Sequence, residues 1–166
     1  MICSGGTGGH VIPSINFGNF LINKGFECHL IIDERGKKYS KKFKGKIYLI
    51  NSSHFSGNIF FKINSIKNLL LGFVQSLFLV IKIKPQNCIS FGSYATFMPV
   101  LSTLLLKFFF NINIFIHEQN SVIGKANLFF LPFCRFLFIN FKSIKNLNNK
   151  YLNKTFYVGL PEELIS

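Results

Sequence analysis

Short apolar runs alternate with longer apolar segments along the chain, each closed by Gly, Pro or a polar cluster. Met1 to Ser4 reads as the end of a strand, shorter than the roughly five or six residues of a typical one. Val11 to Lys24 has helical spacing, with Pro13 tolerated in the first turn and Gly25 just past the end. Glu27 to Asp33 passes through Cys28-His29-Leu30-Ile31-Ile32, which predicts a buried strand. Lys46 to Asn51 predicts another, and Ser52 to Asn58 a polar loop. Asn64 to Lys84 has helical length and is stopped by Pro85. The strand Asn87 to Phe91, the helix Thr96 to Phe110 and the strand Asn113 to Ile116 follow, the last interrupted by His117-Glu118-Gln119-Asn120. A short helix at Lys125 to Leu131 and strands at Arg135 to Asn140 and Thr155 to Val158 complete the order. This alternation predicts a single α/β domain over residues 1–166, Rossmann-like, with an open, mostly parallel sheet and helices on both faces.

Ser4 to His10, with four glycines in five residues, falls between the first strand and the first helix. Glycine lets backbone approach a ligand closely, and the helix N-terminus offers free N–H groups and positive potential to an anion. The spacing is neither G-x-G-x-x-G nor a P-loop, so the two common nucleotide fingerprints are excluded. The glycine loop, Phe91 to Thr96 and His117 to Asn127 each follow a strand and precede a helix. In a parallel sheet all three lie along the carboxyl edge, where ligands bind. They gather His10, Tyr94, His117, Glu118, Gln119 and Asn120 from distant parts of the sequence. From the residues alone two readings stay open: His10 and His117 as structural hydrogen-bonders or as ligand contacts, and Tyr94 as packing or as substrate contact. Glu118 near a helix start can also merely complement the dipole.

Hydrophobic content of 49% and charged content of 15% exclude a disordered chain. The net charge of +13 implies an anionic partner. Arg35, Lys37, Lys38, Lys41, Lys42, Lys44 and Lys46 crowd one loop, and apolar segments follow it. That combination points to an anionic membrane surface rather than to nucleic acid, for which no motif is present. The windows Leu69 to Ile81 (too short) and Val100 to Ile116 (broken by Lys107, Asn111 and Asn113) predict no membrane span, and no signal peptide is expected. The abundance of Phe, 22 residues, reads as nucleotide bias in the source. Cys3, Cys28, Cys88 and Cys134 are spaced as small buried hydrophobes, and no Asp-x-Asp or acidic pair suggests a metal site. His29 and His54 stand in no motif.

Gly5-Gly6-Thr7-Gly8-Gly9-His10 with Pro13, Gly92-Ser93-Tyr94, His117-Glu118-Gln119-Asn120 with Gly124 and Asn127, and Val158-Gly159 together resemble glycosyltransferase family 28, enzymes of the GT-B fold. The resemblance covers essentially the whole chain. It implies the N-terminal, acceptor- and membrane-binding half of a GT-B enzyme, with the C-terminal donor-binding domain absent. It implies inverting transfer of N-acetylglucosamine from UDP-N-acetylglucosamine to lipid I, undecaprenyl-diphosphate-MurNAc-pentapeptide, giving lipid II at the cytoplasmic face of the bacterial inner membrane. It also implies a peripheral membrane location and no cofactor beyond the donor substrate. By motif, His10 would be the general base, with Glu118 as an alternative base or a partner orienting a histidine. Thr7, Gly8, Gly9, Ser93, Tyr94, His117, Gln119, Asn120 and Asn127 would contact substrate. Two departures stand out: Ser93 replaces a family glycine, and Gly159-Leu160-Pro161-Glu162-Glu163 replaces Gly-Asn-Pro-x-Arg, reversing a charge. The alternative function is a non-catalytic, membrane-anchoring subunit that binds a polyprenyl diphosphate and needs a separate donor-binding chain.

Overall fold

The computed structural model describes the backbone of residues 1–53 and 59–159, and the side chains of all of these but 59–64. His54, most of the Ser52 to Asn58 loop and the departing residues 160–163 lie outside the described residues. The elements run β1 (Ile2–Cys3), α1 (Gly8–Asn23), β2 (His29–Asp33), β3 (Lys46–Ile50), α2 (Ile59–Ile83), β4 (Asn87–Ser90), α3 (Phe97–Phe110), β5 (Asn113–Glu118), α4 (Lys125–Phe130), β6 (Phe136–Ile139) and β7 (Thr155–Tyr157). Among the described residues the strands form one seven-stranded sheet, order β3-β2-β1-β4-β5-β6-β7, and every pairing is parallel.

Strand side chains alternate between two apolar layers, because successive residues point to opposite faces. Ile2, Leu30, Ile32 and Ile89 face α1, where they meet Val11 and Ile15. Cys3, Ile31, Cys88, Ile114, Ile116 and Leu137 face the other way, against Leu79 and Val80 of α2, Val100 of α3 and Phe130 of α4. The α/β expectation, with helices on both faces, therefore holds. The chain winds outward from β1 to β3, then restarts at β4 on the other side of β1. The adjacent carboxyl ends of β1 and β4 are thus the topological switch point, where connections diverge and leave a crevice.

Several expectations are corrected. β5 does not stop at Ile116 but carries His117 and Glu118, because Glu118 finds hydrogen-bond donors at the strand end that make a buried carboxylate tolerable. α2 is longer than the hydropathy window implied. Its Ser65–Ile83 stretch, 19 residues of mean hydropathy 1.7, meets the length and composition needed to cross a bilayer. Ser76, Leu79 and Val80 of this helix are nevertheless buried in the protein. Its opposite side carries Ile66, Leu70, Val74 and Phe78 at four-residue spacing, the last two 63% and 64% exposed. The basic segment is folded rather than a loose loop. Lys37–Lys42 form a 3-10 turn; Tyr39 and Phe43 pack in the α1 layer, and Asn19 of α1 bonds both the Lys42 carbonyl and the Lys44 amide. The basic turn and the α2 stripe consequently lie on opposite faces of the sheet and do not form one membrane patch. All four cysteines are free and buried, as their spacing suggested.

Candidate active site

The glycine loop is shaped by contacts from three other segments. Gly6 has φ 76°, a conformation strained for any residue with a side chain, and a Cβ there would press on Ser93 Oγ at 3.1 Å. A Cβ on Gly5 would collide with Ala95 and Asp33. Thr7 is the N-cap of α1 without a capping side-chain bond, and no acidic residue occupies the first turn. The amides of Gly8 and Gly9 therefore stand at an uncompensated positive helix end.

Asp33, at the end of β2, is the buried hub of this loop, and sequence reasoning missed it. One of its oxygens accepts from the amides of Gly6 (2.9 Å) and Gly36 (3.1 Å); the other accepts from Arg35 Nε (2.6 Å) and Ser52 Oγ (3.0 Å). Burial alone would push this carboxyl up, but the Gly6 amide and the Arg35 guanidinium outweigh it and hold it below the ordinary aspartate value. Its position matches that of a ribose-binding acid in dinucleotide folds, yet its oxygens are already engaged, which excludes that role. Arg35 is a second omission. Sequence reasoning counted it with the basic loop, whereas Asp33 pins its Nε and its Nη2 stands 3.8 Å from where a Gly6 Cβ would be. The available signal was an acid closing an apolar strand in a chain with only six acidic residues.

His10, in the first turn of α1, reaches across the switch point. Its Nδ1 lies 2.8 Å from the Phe91 carbonyl oxygen and 2.9 Å from Gln119 Oε1. Both partners are acceptors, so Nδ1 carries the proton, and in the neutral ring Nε2 holds the lone pair. Nε2 has no partner among the described residues.

His117 packs its ring on Phe91, centroids 4.7 Å apart. Burial lowers its pKa to about 4, against the opposing pull of the Glu118 charge. The unfolded chain then binds the proton more tightly than the folded one, so this stability is complete above the unfolded value near 6.5 and is lost as pH falls toward 4. The expected loss is about 3 kcal/mol of unfolding free energy across that window, read from urea unfolding at successive pH values. His117→Asn is expected to flatten the dependence. Asp33, whose pKa is also lowered, adds to the loss in the same direction.

Glu118 is fully buried and both its oxygens are occupied. Oε1 accepts from the amide and side chain of Asn120, each at 3.0 Å; Oε2 accepts from the Gly124 amide and Asn127 Nδ2, each at 2.9 Å. The expectation of Glu118 as an alternative base is corrected by this geometry: the carboxylate contacts no histidine nitrogen and organises the loop instead. Asn127 is likewise buried beneath the loop, donating to Glu118 and, at 3.4 Å, to the His117 carbonyl, rather than facing a ligand. Asn120 and Tyr94 are exposed at the rim. Ser93, partly exposed, has φ 82° and ψ 155°, a region populated almost only by glycine, which explains why the family motif has one there. Ser93→Gly is expected to raise stability by about 1 kcal/mol, net of the lost Ala95 amide bond to Ser93 Oγ, visible as a higher Tm. A cavity of about 610 Å³ lies elsewhere, at the amino edge of the sheet against Phe17, Ile89 and Phe138, and none of the rim residues lines it.

Residues 1–139 match the model of the glycosyltransferase family 28 N-terminal domain. A Rickettsia canadensis protein named UDP-N-acetylglucosamine–N-acetylmuramyl-(pentapeptide) pyrophosphoryl-undecaprenol N-acetylglucosamine transferase is 38% identical over 159 residues, covering 96% of this chain and 43% of that protein. A Rickettsia typhi protein of the same name is 38% identical over 148 residues, covering 89% and 36%. The crystal structure of MurG from Acinetobacter baumannii superposes with a TM-score of 0.78 at 22% identity, over 98% of this chain and 46% of that one. The calicheamicin glycosyltransferase CalG4 shares the fold at a TM-score of 0.61 and 8% identity, over 95% and 52%. The chain thus spans less than half the length of the curated relatives it matches. On the strength of the matched domain and these relatives, the chain belongs to glycosyltransferase family 28.

Proposed function

We propose that this chain is the acceptor-binding half of an inverting glycosyltransferase that moves N-acetylglucosamine from UDP-N-acetylglucosamine onto lipid I, at the cytoplasmic face of the bacterial inner membrane. The observation that carries this reading is the meeting, at the β1/β4 switch point, of an uncompensated helix N-terminus with a histidine whose Nε2 is unengaged. The amides of Gly8 and Gly9, with Thr7 and the Arg35 guanidinium, hold the acceptor diphosphate, which suits their positive potential. Ser93 and Tyr94 border the same cleft, and Asn120 faces the donor. His10 Nε2 takes the proton of the acceptor hydroxyl as that oxygen attacks the anomeric carbon of the donor sugar. The bond to UDP breaks on the opposite side, UDP leaves with the electron pair, and the anomeric centre inverts. The donor nucleotide is held by a second half, and no cofactor beyond the donor is invoked.

Membrane contact is assigned to the outward stripe of α2, with Lys67, Lys82, Lys107 and Lys125 on the same side of the sheet. Replacing both Val74 and Phe78 by Asp is expected to lower partition onto anionic vesicles at least about tenfold, since burial of each such side chain is worth about 1.5–3 kcal/mol. Unchanged flotation would remove the stripe from the membrane contact.

A second reading, a membrane-anchoring subunit without catalysis of its own, is favoured by the exposed α2 stripe. One assay separates the two. A lipid I analogue and radiolabelled UDP-N-acetylglucosamine are incubated with this chain, with a donor-half protein, and with both. Disaccharide formed in the mixture and abolished by His10→Ala supports the first reading. Product that survives His10→Ala supports the second, and absence of lipid I binding by this chain refutes both.

A further inference from the structure

Gln119 follows Glu118 at the end of β5, and its amide touches both histidines of the rim. Its Oε1 is 2.9 Å from His10 Nδ1, while its Nε2 is 2.9 Å from His117 Nδ1 and 3.2 Å from the His117 carbonyl oxygen. Only one orientation of that amide satisfies all four contacts in this cluster. Turned over, it would set its oxygen against the His117 carbonyl. It would also offer a donor to His10 Nδ1, forcing that nitrogen to present a lone pair to the Phe91 carbonyl at 2.8 Å. The Phe91 carbonyl, which can only accept, commits the His10 proton to Nδ1; that N–H and the His117 carbonyl then fix the amide, and the amide in turn leaves Nδ1 of His117 as an acceptor, with its proton on Nε2.

We infer that Gln119 is the positioning residue of this site, sharing the Nδ1 proton of His10 with the Phe91 carbonyl and bracing the ring so that Nε2 is kept as the proton acceptor. The role rests on the reading of His10 as general base. An unrestrained histidine favours the tautomer with the proton on Nε2, which cannot accept a proton there. The clamp reverses that preference and leaves Nδ1–H bonded to two oxygens, which also stabilises the imidazolium formed after proton transfer. It resembles the carboxylate behind a catalytic histidine in hydrolases, with a neutral amide in its place.

The test reads tautomers on the chain as it stands, by long-range proton–nitrogen NMR of ¹⁵N-histidine-labelled protein at neutral pH. In the wild type, His10 is expected to show a protonated Nδ1 and His117 a protonated Nε2. Gln119→Leu leaves the Phe91 carbonyl as the remaining acceptor at Nδ1 and is expected to let an Nε2-protonated fraction of His10 appear. In the transfer assay with a donor half it should lower kcat about tenfold while KM for the lipid stays within about twofold, a split that a general loosening of the rim would not give. Gln119→Glu keeps an acceptor toward His10 and replaces the donor toward His117 by a second acceptor. His10 should then retain its proton on Nδ1 while the proton of His117 moves to Nδ1, so the inference stays testable where the leucine variant does not fold. The inference is overturned by a wild-type His10 protonated on Nε2, by an unchanged His10 tautomer in Gln119→Leu, or by an unmoved His117 proton in Gln119→Glu. Tautomers that behave as stated in a chain that gives no transfer in any mixture leave the clamp standing and refute the base assignment.

Discussion

Replacing Glu118 by alanine is expected to destabilise the protein by roughly 3–5 kcal/mol, because four donors lose a buried acceptor at once. The Asn127 side chain sits where water reaches poorly, so solvent does not replace the bond it loses. Asn120 loses both bonds that set its direction, so sugar transfer should fall together with stability, and urea midpoints read against activity will show the two moving in parallel. A large drop in kcat at an unchanged midpoint would instead return Glu118 to the chemistry.

His10→Ala is expected to behave in the opposite way. Transfer should fall by about 10²–10⁴-fold in kcat, the range in which a general base contributes, with KM for the lipid little changed. Stability should move by no more than about 1–2 kcal/mol, since the ring is partly exposed and only one of its nitrogens is bonded among the described residues. Under the proposed role of His10, added imidazole should restore part of the rate to the alanine variant, since the space left by the ring would lie beside the acceptor hydroxyl. His10→Gln with full activity would show that the histidine serves only as a hydrogen-bond bridge across the switch point.

The fold was legible in the sequence because a parallel sheet buried on both faces writes its strands as near-continuous apolar runs and its crossovers as long apolar periods. Cys28 to Ile32 and Asn87 to Phe91 are of this kind, and the three rim loops follow from their order. The end of β5 was not legible. His117 and Glu118 look like loop residues until Gly124 and Asn127, later in the chain, come back to bond the carboxylate. Glu118 read as an alternative base or a histidine partner, and Asn127 as a substrate contact, because burial is a tertiary property that the motif does not display. Arg35 was hidden among neighbouring lysines, and only the pairing with Asp33 sets it apart. Placing the basic turn beside the α2 stripe failed for a topological reason. The α1 crossover and the α2 crossover step in opposite directions along the sheet, so they must cover opposite faces. The phenylalanines carry less information than their positions. Phe115, Phe136, Phe138 and Phe156 form a cross-strand ladder over β5 to β7, whereas Phe108 and Phe109 project from α3 at 86% and 80% exposure.

The sealed thiols give the molecule an internal clock. Cys3 and Cys88 sit on neighbouring central strands with their sulfurs 3.7 Å apart, and Cys28 and Cys134 are closed off nearer the two ends of the sheet. A water-soluble alkylating reagent meets the central pair once the α2 and α3 layer lifts from β1 and β4, the face onto which both thiols point. The order in which the four sulfurs become modified would therefore chart which part of the sheet gives way first, with no label added to the chain.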